Sequence, residues 1–330
     1  MMRKCVAAAL GCLLVVLVAC QGKQQPQEAG QTYVSSAPAF SPDSAMAYVA
    51  AQTAFGPRVP ASAAHDSCGA WIAGKFRSLG AEVMVQSTEV SLYDGRRVPC
   101  VNIIASYNPQ ATKRLLLCSH WDSRPWADND PDSACHHTPI DGANDGASGV
   151  AVLLELARQL QLRPAQVGVD LICFDVEDCG TPQWEEDDRL HQDKHWCLGS
   201  QYWAAHPHAE GYTASFGILL DMVGGAGCEF RLEGFSQRMA PRVVDKVWSA
   251  AQRIGRGDYF VYTAGHYVTD DHLSVNQRGI PCIDVIASDK DSGDFPSTWH
   301  TLSDDLAHID PGTLSAVGQT VVEVVYTETP

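Results

Sequence analysis

Two hydrophobic periods alternate along the chain from residue 44 onward. Apolar positions at helical spacing fall at 44–55 and 64–79, and strand-like runs follow at 82–92 and 98–107, on either side of Asp94-Gly95. An Asp-Gly pair between alternating apolar residues predicts a β-hairpin. Residues 114–118 and 167–174 are continuous apolar runs of the parallel-sheet kind, separated by a helical pattern at 146–161. Further on, the pattern predicts a helix at 200–205, strands at 216–222 and 229–232, a helix at 241–254, a strand at 281–287 and a closing helix at 314–326. This alternation predicts a single α/β domain over 44–330, with a twisted, mostly parallel central sheet flanked by helices.

The first 43 residues follow a different rule. Arg3 and Lys4 precede an apolar run at 6–18 that is too short for a permanent membrane helix and suits the core of a secretory signal. The run closes on Leu17-Val18-Ala19-Cys20, which resembles the lipobox of bacterial lipoproteins, so residues 1–19 are expected to be cleaved and Cys20 lipidated. Residues 20–43, rich in Gln, Ser, Ala and Pro without a hydrophobic period, are expected to form a tether. Gln21 after the lipidated cysteine resembles the sorting pattern of Gram-negative outer-membrane lipoproteins. The resemblance implies an exported protein, anchored through lipid and facing the periplasm.

Composition narrows the function. With 39 acidic against 23 basic residues the formal charge is −16, and the leader would take two positive charges with it. Such a surface does not gather nucleic acid by counterion release. Of 12 cysteines, nine lie beyond the leader and Cys20, an odd number that leaves at least one thiol unpaired. None is spaced as a structural zinc or thioredoxin-type motif.

In an α/β sheet, ligands bind beyond the carboxyl ends of the strands. The polar residues of this sequence fall there: His120 and Asp122 after one apolar run, Asp175, Glu177 and Asp178 after the next, and Asp221 after a third. With Asp145 in the glycine-rich 142–149 segment and His300 near the end, these are imidazole and carboxylate donors suited to a borderline divalent metal. Asp145 also reads as an N-cap for the helix that follows it. Adjacent Glu177 and Asp178 must project in different directions, so one can bind metal while the other faces substrate.

The series His120-Trp121-Asp122, 142–149, Phe174-Asp175-Val176-Glu177-Asp178, Leu220-Asp221-Met222-Val223-Gly224, Asp270-Asp271-His272 and Trp299-His300-Thr301 resembles the M28 zinc peptidase superfamily. Within it, the sequence is similar to the animal-type (type II) glutaminyl-peptide cyclotransferases and their bacterial lipoprotein relatives. The resemblance implies a zinc aminopeptidase-like α/β/α fold and one Zn2+ per chain on Asp145, Asp178 and His300. It further implies Glu177 as general base and acid, with Asp221 and Asp270 in a carboxylate network around it. The substrates implied are peptides or proteins with an N-terminal glutamine, and the protein is expected to be a monomer. Two departures stand out: Asp178 occupies a position that is commonly Glu, and Asp284 stands where animal cyclases carry a histidine.

The sister branch of dizinc aminopeptidases would bind a second metal with His120, Asp145 and Asp221, all of which are present. Trp299 favours the cyclase, because an aromatic wall beside His300 packs a folded glutaminyl side chain. Trp184 resembles a second pocket residue of that kind. Asp270 favours it too, since a further carboxylate near Asp221 and Glu177 must share protons with them.

Overall fold

The computed structural model describes residues 33–185 and 192–330. The leader, Cys20 and most of the expected tether lie outside them. The body comprises Val34–Pro330 and starts ten residues earlier than the hydrophobic pattern suggests. Phe40 is buried, with its ring against Gly318, and Ser35 donates to the Glu323 carboxylate. Helix α1 (Pro42–Thr53) then begins at the Ser41 cap, whose hydroxyl accepts the Ser44 N–H.

Helix α2 (Ala63–Ser78) leads into the antiparallel hairpin of β1 (Glu82–Ser91) and β2 (Arg97–Tyr107), turning at Asp94-Gly95 as the dipeptide predicts. The central strands β3 (Arg114–His120), β4 (Gly168–Phe174) and β5 (Gly217–Asp221) are covered on both faces, and every residue of β4 and β5 is buried. That explains their unbroken apolar runs. The remaining strands are β6 (Cys228–Leu232), β7 (Phe260–Ala264) and β8 (Cys282–Asp289). The eight strands form one sheet in the order β1-β2-β4-β3-β5-β8-β6-β7. β4-β3-β5-β8 is its parallel centre and β6-β7 pairs parallel at one edge, whereas β1-β2, β2-β4 and β8-β6 are antiparallel. The sheet is thus mixed around a parallel centre.

Helices α3 (Ala147–Leu162) and α8 (Pro311–Thr327) pack with α1 over the sheet, and α3 is buried along nearly its whole length. Gly149 permits that close approach: a Cβ there would lie 2.2 Å from Ser119 Oγ and 2.3 Å from the Leu220 carbonyl. Four more helices complete the fold: α4 (Leu198–Ala205), α5 (Gly234–Met239), α6 (Pro241–Arg253) and α7 (Asp271–Gln277). No helix among the described residues is long and apolar enough to cross a membrane. All nine cysteines beyond Cys20 are free thiols, eight of them buried.

Candidate active site

The carboxyl ends of β4, β3 and β5 lie side by side, and their loops build one polar floor. The turn after β4 is clasped from two directions. Buried Asp175 accepts the Val101 and Val176 N–H groups and meets His65 Nε2 at 2.8 Å, while burial pushes its carboxyl up to about 6 despite that histidine. The Asp122 carboxylate, at the end of β3, accepts the N–H groups of Glu177 and Asp178 at 3.1 and 3.2 Å. Val176 between them has φ +52°, a genuine outlier for a β-branched residue. Cys197, Met222 and His300 share this left-handed conformation, so four of the six such non-glycine residues described lie at this site. Strain of this kind persists where surrounding bonds over-determine it.

Asp145, Asp178 and His300 offer ligand atoms that lie within 4.8 Å of one another, all buried. Asp145 is not the N-cap of α3: that position is Gly146, at φ +91°, where a Cβ would meet the Asp122 carbonyl at 2.7 Å. The loop is held instead by Asp304, whose carboxylate accepts the Asn144 and Asp145 N–H groups at 2.7 and 3.1 Å. This leaves the Asp145 side chain for the cluster. Asp178, though one methylene short, reaches it: its Oδ1 lies 3.1 Å from His300 Nε2, and Arg124 donates to its backbone carbonyl at 3.0 Å.

The donors suit a cation. Burial, with the charges of Arg124 and His120, holds His300 well below the usual imidazole range, so it is neutral. Its Nδ1 lies 3.5 Å from Asp128, the orienting carboxylate expected behind a ligating Nε2. Asp178 Oδ2 is buried without a hydrogen-bond partner, and burial with the Asp145 charge pushes that carboxyl well up. A dication would relieve both conditions.

His120, Asp145 and Asp221 form a second such group. Here His120 Nε2 meets Asp145 at 2.9 Å and Asp221 at 3.2 Å, and Nδ1 lies 3.5 Å from Asp122. Burial opposes ionisation, but these three carboxylates raise His120 well above the usual range. A third group joins Glu177 and Asp270 to Cys197, a residue that sequence reasoning passed over. Burial first, then the negative charges of Asp270 and Asp178, raise Glu177 well above the carboxylate range, and Asp270 is raised by burial and by Asp221 and Asp271. Asp221 thus lies with His120 but also acts by its charge on Asp270, which caps α7 and accompanies Glu177. Asp284 lies buried on β8, 4.0 Å from His272.

A cavity of about 600 Å³ opens over this floor, lined by Asp145, Glu177, Asp178, Asp221, Asp270 and His300 and walled by aromatic rings. Trp299 stacks on His300 at 3.9 Å between centroids. Trp196 lies parallel to the same imidazole at 6.1 Å and 4°, and it too lines the cavity. Trp184 does not line it: it sits outside, against His137 and Trp126. Gly180 makes room for Trp196, because a Cβ there would come within 2.0 Å of its indole, a contact with no signature in the sequence.

Residues 102–325 match the family described as peptidase family M28. The chain is 51% identical to a Bacteroides thetaiotaomicron glutaminyl cyclase solved with N-acetylhistamine bound, at a TM-score of 0.87 over 89% of this chain and 100% of that one. It is 49% identical to a Zn-dependent exopeptidase of Parabacteroides distasonis, at a TM-score of 0.85 over 88% of this chain and 100% of that one. A Bos taurus glutaminyl-peptide cyclotransferase-like protein is 30% identical over 235 residues, which cover 64% of this chain but only 56% of the relative's length.

Proposed function

The chain belongs to peptidase family M28, and from that membership we propose that it is a zinc-dependent glutaminyl-peptide cyclotransferase. It converts the N-terminal glutamine of a peptide or protein to pyroglutamate and releases ammonia. The observation that carries this reading is the aromatic slot: Trp196 and Trp299 both lie against His300, beside Glu177. A glutaminyl side chain folded back on its own amine is compact and flat enough to enter such a slot. The likeness to the Bacteroides glutaminyl cyclase supports the same reading.

One zinc would be held by Asp145, Asp178 and His300, and when bound it supplies a Lewis acid for the γ-carbonyl. The substrate's α-amine is the nucleophile, so the reaction consumes no water. As its nitrogen bonds to Cδ, Glu177 accepts the amine proton, then gives a proton to the departing amide nitrogen, which leaves as ammonia. Burial among carboxylates raises Glu177 well above the usual carboxylate range, which helps it hold the proton it takes until the leaving nitrogen receives it. Asp270 shares the negative charge of that neighbourhood and steadies Glu177 as it changes protonation. The imidazole of N-acetylhistamine, bound by the Bacteroides relative, is expected to compete in this cavity as well.

We assign residues 1–19 to a lipoprotein signal and Cys20 to a lipid anchor that tethers the enzyme at the periplasmic side of a Gram-negative outer membrane. The second reading, a dizinc exopeptidase, rests on the His120-Asp145-Asp221 group. Metal analysis beside two assays separates them. One zinc per chain with ammonia release from a glutaminyl peptide supports the cyclase, whereas two zincs with hydrolysis of amino-acyl anilides replaces it.

A further inference from the structure

The thiol nearest the reacting groups has no part in the chemistry above. Cys197 Sγ lies 3.2 Å from Glu177 Oε1, well within sulfur hydrogen-bond reach. The backbone fixes that approach, because the N–H groups of Cys197, Leu198 and Gly199 donate in succession to the carbonyls of Glu177, Val176 and Asp175. The segment entering α4 is thus laced to the turn that carries Glu177. Cys197 sits at φ +57°, ψ +34°, so the chain adopts a costly conformation at the point where its side chain meets the carboxylate. Its side chain is nearly inaccessible and does not line the cavity, so it has no substrate to touch. Burial, with Glu177 beside it, keeps the thiol protonated and therefore a donor.

We propose that Cys197 is a positioning residue: its S–H donates to Glu177 Oε1 and holds the carboxylate so that the other oxygen is presented to the substrate amine. This rests on Glu177 being the base of the proposed cyclase. A freely rotating carboxylate would spend part of its time with neither oxygen aligned, and misalignment of a general base lowers turnover more than binding. The cost falls on kcat.

The test uses the zinc-loaded full chain with a glutaminyl dipeptide and ammonia release. Cys197→Ala is expected to lower kcat about tenfold with KM changed less than about twofold. Cys197→Ser keeps a donor and is expected to recover kcat to within about threefold of the parent. An unaltered kcat in Cys197→Ala overturns the proposal, as does a serine variant as slow as the alanine one, or a loss that falls on KM. A second readout needs no activity. The infrared S–H stretch of Cys197, isolated by subtracting the spectrum of Cys197→Ser, should move to higher frequency in Glu177→Gln, where the acceptor is weaker. An unmoved band removes the hydrogen bond and with it the proposal. If the parent enzyme releases no ammonia, the cyclase reading fails by itself, and the infrared band alone then decides whether Cys197 holds Glu177.

Discussion

Two carboxylate–imidazole groups share Asp145, and they resolve their charge in opposite ways. Around His120, three carboxylates draw within 2.9 to 3.5 Å of one ring and raise it well above the usual imidazole range, so the group contains its own cation. Around His300, the ring is held neutral by burial and by Arg124 and His120, and Asp178 keeps an orphaned oxygen. A proton on His120 can balance the first group and the second is left open for a metal, although each keeps one buried atom without a hydrogen-bond partner, His120 Nδ1 and Asp178 Oδ2. Donor identity and spacing alone do not distinguish them, since each joins one histidine to two aspartates with ligand atoms within 4.8 Å of one another. The difference lies in the surroundings, and the proposal of one zinc rests on it.

The sharpest way to break this comparison is to remove each histidine in turn. His300→Ala is expected to lose zinc and to lower turnover by about 10³-fold or more, because three protein ligands leave no redundancy. His120→Ala is expected to leave the zinc content at its parental value while slowing the reaction, since Asp145 and Asp221 then lack their partner. Metal analysis of both variants decides. A parent with two zincs that falls to one in His120→Ala would show the two groups to be equivalent.

A smaller but cleaner effect belongs to the base. Glu177→Gln keeps the shape of the side chain and removes its proton acceptor, so kcat should fall by roughly 10² to 10⁴ while zinc stays bound at its parental level. If turnover survives with zinc in place, Glu177 leaves the mechanism, and the open group about His300 no longer serves a neighbouring base. Loss of zinc in this variant would instead mean that Glu177 belongs to the metal group.

The strand ends that build these groups were legible because β3, β4 and β5 are covered on both faces, so each apolar run stops where the chain reaches the polar edge. His120, Glu177, Asp178 and Asp221 could therefore be placed from the pattern. Elements without such a signature were missed. Strand β7 buries only Phe260 and shows no alternation, while α5 and α7 are too short to establish a helical period. Contacts made by packing across the fold were equally hidden. Asp304 holds the Asp145 loop from 159 residues away, and Trp196 rather than Trp184 enters the cavity wall because Gly180 leaves room for it.

A third pair, outside the His120 and His300 groups, calibrates the charge argument. Glu233 accepts the N–H groups of Phe235, Ser236 and Val268 and faces His272 at 3.4 Å. Burial alone would raise its carboxyl, but His272 and those N–H donors outweigh burial and hold it at about 2, against 4.5 for an ordinary glutamate. A folded value below the unfolded one contributes stability that is complete above about 4.5 and is lost as pH falls toward about 2. Glu233→Gln is therefore expected to cost on the order of 2 kcal/mol at neutral pH and to flatten the acid limb in that window. Urea unfolding of parent and variant at pH 7 and pH 3 reads it. An equal loss at both pH values would mean that the carboxylate's charge is not what stabilises this pair, and would weaken the same argument for His120.

The smallest effect concerns the walls, which also divide the two groups: two indoles, Trp196 and Trp299, lie nearly parallel to the His300 ring, whereas no indole is stacked on His120 among the described residues. Trp196 lines the cavity and lies parallel to His300, so an alanine there removes surface that binds ground state and transition state alike. KM for a glutaminyl dipeptide should rise by about three- to tenfold with little change in kcat. Trp184, 38% exposed and packed at a tilt against His137, lies outside the cavity that holds the metal group and the base, and Trp184→Ala should leave both constants within about twofold. Steady-state kinetics on the two variants under one set of conditions gives the contrast. If Trp184→Ala raises KM as much as Trp196→Ala does, the substrate reaches past the cavity to the outer aromatic cluster, and the slot beside His300 is only the inner half of the binding surface.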